Sequence, residues 1–298
     1  MTRAALITGA TGFIGGRLAE RLSQQGWAVH AVVRPRPEGA AAITLPSNVR
    51  AHAYDGSMAR LEAILSDVRP DLVFHLASLF LVDHAPAQAG ELVRSNVLFP
   101  TMLVEAAIGA GCNRMINVGT AWQHYRSSDY EPVNLYAATK QAYQDILQFY
   151  ASASGLSCIT LKLFDTYGPG DPRRKLIPAL VNFARSGGEL SMSPGDQILD
   201  LCHVDDVIDA FVITADRLLE AAGPISESYL LGGERHTLKE VVAMVARACG
   251  RALDVSFGGR PYREREVMDP VRVVETLPAW VRSRDLEATL KSMIGAPE

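Results

Sequence analysis

A chain of 298 residues, 48% of them apolar and 21% charged, is long enough for one large or two modest domains around a sizeable core. A formal net charge of -4 and the lack of any Lys/Arg run exclude the basic face that nucleic acid or an anionic membrane requires, which leaves small molecules as the expected partners. Cys112, Cys158, Cys202 and Cys249 lie far apart without CxxC spacing, so neither a metal site nor a disulfide framework is expected, in keeping with a reducing cytoplasm.

The first apolar run, residues 4–8, is broken by glycine before it reaches signal-peptide length. No stretch reads as the ~18 to 20 apolar residues of a membrane span, and "LVFHLASLFLV" is flanked by Asp71 and Asp83. A soluble cytoplasmic chain is the expectation. Short apolar runs at 4–8, 28–33, 72–76, 115–118 and 158–164 predict strands buried on both faces. Amphipathic patterns at 15–25, 92–110 and 135–153 predict the helices between them. This alternation predicts an α/β fold with a doubly wound parallel sheet of the Rossmann type.

"EGAAA" after Arg36 reads as a loop. Past Tyr167, "YGPGDPRRKLIP" and "SGGELSMSPGDQ" carry loop composition, and a second, smaller α+β unit is expected to begin there. The predicted division gives residues 1–166 and about 203–225 to the dinucleotide-binding domain, and about 167–202 and 226–298 to a substrate domain. Asp205 or Asp206 is expected to cap a helix over 207–219, and Thr237 with Glu240 forms a capping box ahead of "TLKEVVAMVARA".

Chemistry enters at "ALITGATGFIGGRL", where Gly9, Gly12 and Gly15 join strand to helix. The first glycine permits a tight turn, the second lets a pyrophosphate approach the backbone, and the third lets helix and strand pack closely. Thr11, Phe13 and Ile14 fill the turn and open the helix whose N-terminus faces the phosphates. A ribose-reading residue belongs about 20 residues further on, at the end of the second strand. Arg34 stands there in place of an acidic side chain, and a guanidinium pairs with a 2'-phosphate, so NADPH is the expected cofactor and NADH the alternative.

Tyr136 and Lys140 are four residues apart on a helical pattern and share one face. The Lys140 ammonium is expected to lower the Tyr136 phenol pKa, which prepares it for proton exchange with a substrate oxygen. Thr120 closes a parallel strand at its carboxyl end, where doubly wound folds assemble their sites.

With these residues in place the sequence resembles the extended short-chain dehydrogenases/reductases that act on nucleotide sugars. "TGATGFIG" matches the cofactor turn and "FHLAS" the strand and loop over the cofactor; "RSNVLFPTMLVEAA" matches the helix that brings Asn96, and "LDLCHVDDV" and "RPYREREVMDP" match later segments. The resemblance implies Tyr136 as acid/base, Lys140 as its electrostatic partner and Thr120 as a hydrogen-bond donor to the sugar oxygen. It also implies cofactor contacts from Asp55, Gly56, Leu76, Ala77, Ser78, Asn96 and Phe164, and a homodimer built through the tyrosine-bearing helix and its neighbour. On the substrate side it implies Trp122, Gln123 and His124 around the sugar, Lys175 and Leu176 as further substrate contacts, and Arg263 on the diphosphate, with Arg265 and the Arg173, Arg174, Lys175 cluster as weaker candidates. Asp165 departs from the pattern, since many members carry asparagine there; a carboxylate repels phosphate, so it is expected to face a sugar hydroxyl or a backbone amide.

Within this family a 4,6-dehydratase places Asp-Glu directly after the triad hydroxyl, whereas Ala121 and Trp122 follow Thr120 here. A 4-epimerase keeps NAD bound, which Arg34 disfavours, and no Cys/His pair marks a 3,5-epimerase. The motifs are similar to those of the bacterial CDP-paratose and CDP-abequose synthase group. They imply reduction of a nucleotide-activated 4-keto-6-deoxyhexose. The alternatives are an NAD-dependent 4-epimerase and, from another class, a non-catalytic NADP-binding sensor or scaffold.

Overall fold

The computed structural model describes residues 2–35, 45–272 and 275–296; Arg36 and the "EGAAA" segment lie outside them. In chain order come β1 (Ala4–Thr8), α1 (Phe13–Gln24), β2 (Ala28–Val33), β3 (Val49–Ala53), α2 (Met58–Val68) and β4 (Leu72–His75). A composite helix follows: a 3-10 turn at Pro86–Gln88, α3 (Ala89–Val93), a π-helical turn at Arg94–Leu98 and α4 (Phe99–Gly109). Next are β5 (Arg114–Thr120), α5 (Leu135–Ser154), β6 (Ser157–Leu163), β7 (Asp165–Tyr167), α6 (Leu176–Ser186), β8 (Leu190–Met192), β9 (Ile198–His203) and α7 (Val204–Glu220). The chain closes with β10 (Ser226–Leu231), β11 (Glu234–Thr237), α8 (Leu238–Cys249), β12 (Val255–Phe257) and α9 (Leu286–Gly295).

Seven parallel strands form the main sheet in the order β10-β6-β5-β4-β1-β2-β3, the doubly wound arrangement that the alternation of elements predicts. β1, β4 and β6 are buried along nearly their whole length, as strands covered by helices on both faces must be. One core packs α1 and α7 on one face, with Leu18, Leu22, Val207 and Phe211 against Ile7 and Phe74. The opposite face carries α2, α4 and α5, with Leu61, Leu103 and Tyr143 against Leu6 and Met115.

Three sequence expectations change. Residues 226–231, expected in the second unit, form β10, the outer strand of the main sheet, paired with β6; the polar Ser226, Glu227, Ser228 start hides it because only its later residues are buried. The helix expected over 92–110 begins at Pro86 and widens into the π turn, because Pro100 has no N–H to offer the Asn96 carbonyl. By length and composition alone this composite segment, Pro86–Gly109, passes for a membrane span, although Glu91, Arg94 and Glu105 interrupt its apolar run. In the fold it packs against α2 and α5 and buries Leu92, Leu103, Val104, Ala106 and Ala107. Finally, α7 is capped by neither aspartate: β9 runs straight into it, leaving His203 as the last extended residue, and the His203 ring accepts from the Asp205 amide at 3.1 Å. Asp206 is fully buried and instead holds Ser283 and Arg284 of the C-terminal arm.

The Thr237 and Glu240 capping box forms as predicted, with bonds of 2.7 and 3.2 Å. Beyond β6, β7 pairs with β9 and β9 with β11 in a second, three-stranded sheet. There α6, α8 and α9 close a separate core of Leu180, Val241, Leu286 and Leu290.

Candidate active site

Strand order reverses between β1 and β4, and a crevice opens outside their carboxyl ends. Thr8 Oγ1 lies 2.9 Å from His75 Nδ1 across this point and also accepts from the Ala77 amide at 3.2 Å, which fixes the loop after β4. The glycine turn sits above. Gly9 has φ +79°, a conformation L side chains rarely adopt, and a Cβ on Gly15 would lie 2.2 Å from the Gly9 carbonyl oxygen. α1 starts at Gly12 with no side-chain cap and no acidic residue in its first turn, so its positive end is offered to an anion. These features fit a dinucleotide pyrophosphate. Arg34 is exposed just past β2. Asp55 is exposed too, with its carboxylate accepting from the Ser57 amide and hydroxyl at 2.9 and 2.7 Å, bonds that lower its pKa. Gly56 beside it has φ +98°.

A cleft of about 730 Å³ runs from this crevice toward the second unit and is lined by Ile14, Leu76, Ser78, Thr120, Tyr136 and Lys140. Thr120 arrives at the end of β5, while Tyr136 and Lys140 project from the first turns of α5, whose start is fixed by Asn134 accepting from the Ala137 amide. Burial pushes the Tyr136 phenol up to about 12, against the hydrogen bond from Ser78, and burial pushes the Lys140 ammonium down to about 8. The expected lowering of Tyr136 by Lys140 does not appear: desolvation raises it and only the Ser78 hydrogen bond opposes that. His75 lies deep behind them, its pKa held well down by burial and then by the Lys140 charge.

Asn96 does not face the cleft. It is 1% exposed; its amide nitrogen donates to the Leu79 carbonyl at 2.9 Å and to Thr139 Oγ1 at 3.0 Å, and its oxygen accepts from the Leu79 amide at 2.8 Å. The π turn turns Asn96 inward, and the residue ties the loop after β4 to α5.

On the substrate side Trp122 and His124 line the cleft but Gln123 does not. The 3-10 turn after β5 points Gln123 inward, where it is fully buried, accepts from the Thr120 amide at 3.0 Å and donates to Gln144 at 3.1 Å. The His124 ring lies 3.0 Å from Lys162 Nζ and 3.1 Å from the Asp129 carbonyl. Phe164, Asp165, Lys175, Leu176 and Arg263 all line the cleft. No backbone amide among the described residues donates to Asp165; its partner is Lys175 Nζ at 3.1 Å.

Arg173 and Arg174 also line the cleft, but Arg173 is gripped by Asp171 at 2.7 and 2.8 Å and bonds the Thr166 carbonyl while its guanidinium covers Phe13. Arg265 is likewise committed, to Glu131, the Pro132 carbonyl and the face of Tyr125. Arg263 has only Glu266 at 4.0 Å and is half exposed, and Arg174 is exposed with no ion-pair partner among the described residues, so these two are the freest of these cations. Cys112, Cys158 and Cys202 are buried, and no group of three metal-ligating side chains occurs among the described residues.

Among the cleft residues that escape sequence reading is Phe80, whose ring centroid lies 4.9 Å from that of Tyr136 and 5.7 Å from that of Trp122. An aromatic five residues after a strand end is the only sequence signal for it.

A family model described as the NAD dependent epimerase/dehydratase family matches residues 5–232. The chain belongs to that family. It is an enzyme of the epimerase/dehydratase group, and nucleotide-sugar enzymes are prominent among its relatives. A CDP-abequose synthase of Salmonella typhimurium is 25% identical over 295 residues, 97% of this chain and 96% of its own. A UDP-glucose 4-epimerase of Mycolicibacterium smegmatis is 29% identical over 272 residues, 85% of this chain and 82% of its own. Among solved structures, MoeE5 in complex with UDP-glucose and NAD superposes with a TM-score of 0.83 at 28% identity, covering 98% of this chain and 97% of its own.

Proposed function

We propose that the protein reduces the 4-keto group of a nucleotide-activated 4-keto-6-deoxyhexose, with NADPH as reductant. The observation that carries this reading is that Thr120, Tyr136 and Lys140 share one cleft while Ala121 and Trp122, not carboxylates, follow Thr120. That arrangement can donate a proton but lacks the acid and base beside the sugar that dehydration needs. The near-full-length similarity to CDP-abequose synthase supports a deoxysugar nucleotide, with cytidine diphosphate sugars first in line.

The glycine turn and the start of α1 would hold the pyrophosphate, Arg34 the 2'-phosphate, and Leu76, Ala77 and Ser78 the nicotinamide side. Bound there, reduced nicotinamide supplies the hydride. Tyr136, kept protonated at neutral pH by its pKa of about 12, gives its proton to the C4 oxygen as negative charge develops there. Thr120 donates a hydrogen bond to that oxygen, and the Lys140 charge stabilises the phenolate left behind. Arg263 would take the diphosphate bidentately. A homodimer through α4 and α5 completes the reading, supported by exposed Leu98 and Phe149 on or beside those helices.

The test supplies NADPH or NADH with CDP-, dTDP- and GDP-4-keto-6-deoxyhexoses and identifies the product by NMR. A preference for NADPH and a single C4 configuration are expected, while turnover of none of the three sinks the proposal. Tyr136→Phe is expected to lower kcat about 10²- to 10⁴-fold. A second reading, NAD-dependent 4-epimerisation, is favoured by the 29% identical 4-epimerase. It predicts interconversion of the two C4 epimers without net consumption of cofactor.

A further inference from the structure

Phe80 is 39% exposed and lines the cleft. Three neighbours fix it. Tyr136 meets it edge to face at an interplanar angle of 83°, Trp122 leans against it at 42°, and Lys175 Nζ stands 5.0 Å from its ring centroid. Lys175 is in turn held by Asp165, so that ion pair braces Phe80 from the opposite wall. Val82 and Val133 line the same cleft and extend its apolar character. Thr120 and Ser78 supply hydroxyls around the phenol, so the reactive oxygen stands between a polar side and an apolar one.

The proposed substrate must place C4 within reach of the Tyr136 hydroxyl. C5 is bonded to C4, so the exocyclic carbon on C5 falls within a side chain's width of the same hydroxyl. An apolar ring packed against Tyr136 and Trp122 welcomes a methyl group there and itself offers a hydroxyl no hydrogen bond.

We propose that Phe80, braced by Trp122 and by the Asp165 and Lys175 pair, selects hexoses whose C5 substituent is methyl over those carrying hydroxymethyl. This deepens the reductase reading above and rests on it. An apolar pocket of this kind rejects an added hydroxyl by about 100-fold, because it withholds a hydrogen bond without creating a clash. Lys175 and Asp165 act here as positioning residues.

The experiment runs the reaction in reverse. With NADP+ as oxidant, C4–H gives its hydride to the cofactor and the C4 hydroxyl gives its proton to the Tyr136 phenolate, yielding ketone, NADPH and the protonated phenol. A CDP-6-deoxyhexose of the product configuration and its 6-hydroxy counterpart are compared by kcat/KM. The wild-type enzyme is expected to favour the 6-deoxy sugar by about 100-fold. Phe80→Ser is expected to cut that ratio at least tenfold, whereas Phe80→Leu, which keeps the wall apolar, is expected to retain most of it. Equal kcat/KM for the two sugars in the wild type, or an unchanged ratio in Phe80→Ser, overturns the assignment of Phe80 while leaving the reductase reading standing. Absence of turnover with both sugars in the wild type overturns the reductase reading and this inference with it.

Discussion

At one end of the cleft the backbone is the constraint: Gly9 needs its positive φ, and Gly15 cannot carry a Cβ without meeting the Gly9 carbonyl. At the other end, positions are held by side-chain partnerships: Asp171 with Arg173 and Asp165 with Lys175 within one stretch, and Glu131 with Arg265 between distant segments. The first kind of constraint is steric and nearly all-or-none. The second is electrostatic and graded, the partly exposed Asp165 and Glu131 pairs contributing about 1 kcal/mol or less each. A cofactor common to many reactions suits the rigid end, and a substrate that differs from one enzyme to the next suits the adjustable one. Lys140 stands between the two and follows neither pattern: it is 2% exposed and has no ion-pair partner among the described residues.

The sharpest way to break this contrast is Gly15→Ala. With the new Cβ 2.2 Å from a carbonyl oxygen, α1 must move away from β1, and a loss of roughly 3 kcal/mol or more is expected in urea unfolding. A loss under about 1 kcal/mol would show that the turn yields, and the two ends would then differ only in degree.

Lys140→Met comes next and has the opposite sign. The folded-state pKa of about 8 lies below the ordinary 10.5, so between those values the unfolded chain binds more protons and stability rises with pH; below about 8 the full penalty of burying the charge is present. Replacing the ammonium by an apolar chain of similar size is expected to stabilise the fold by about 2 to 3 kcal/mol at pH 7, with the gain fading above about pH 10, while turnover is lost. Urea midpoints at pH 7 and pH 10 check it. A destabilised variant would mean that the ammonium is a structural tie and not a charge retained for chemistry.

What could be read from the sequence follows the same division. The glycine turn, the doubly buried strands and the four-residue spacing of Tyr136 and Lys140 are local patterns, and the structure reproduces them. β3 was not legible because an edge strand with exposed Arg50 and Ala51 never forms a continuous apolar run. Gln123 could not be told from Trp122 and His124, since a 3-10 turn decides which of three successive side chains faces inward. Phe80 and the Asp165 partnership were hidden for another reason. The contact of Phe80 with Lys175 arises only when the loop after β4 meets the segment ahead of α6, the Asp165 pair only when the chain between β7 and α6 doubles back, and no spacing encodes either meeting.

The smallest expected effect bears on how the adjustable end reaches the chemistry. Arg265 comes from the C-terminal arm, yet it lies 4.3 Å from the Tyr125 ring centroid and donates at 3.1 Å to both Glu131 and the Pro132 carbonyl. All three belong to the loop that runs from Thr120 past Trp122 and His124 to α5. Arg265 and Glu131 are each about two-fifths exposed, so Arg265→Ala is expected to change stability by less than about 1 kcal/mol. The loop it releases carries the sugar wall but not Tyr136 or Lys140. KM for the nucleotide sugar should therefore rise several-fold with kcat nearly constant, the pattern of lost uniform binding. A fall in kcat at unchanged KM would instead place Arg265 in the transition state, and the rim could no longer be described as a holder of substrate that leaves the chemistry to α5.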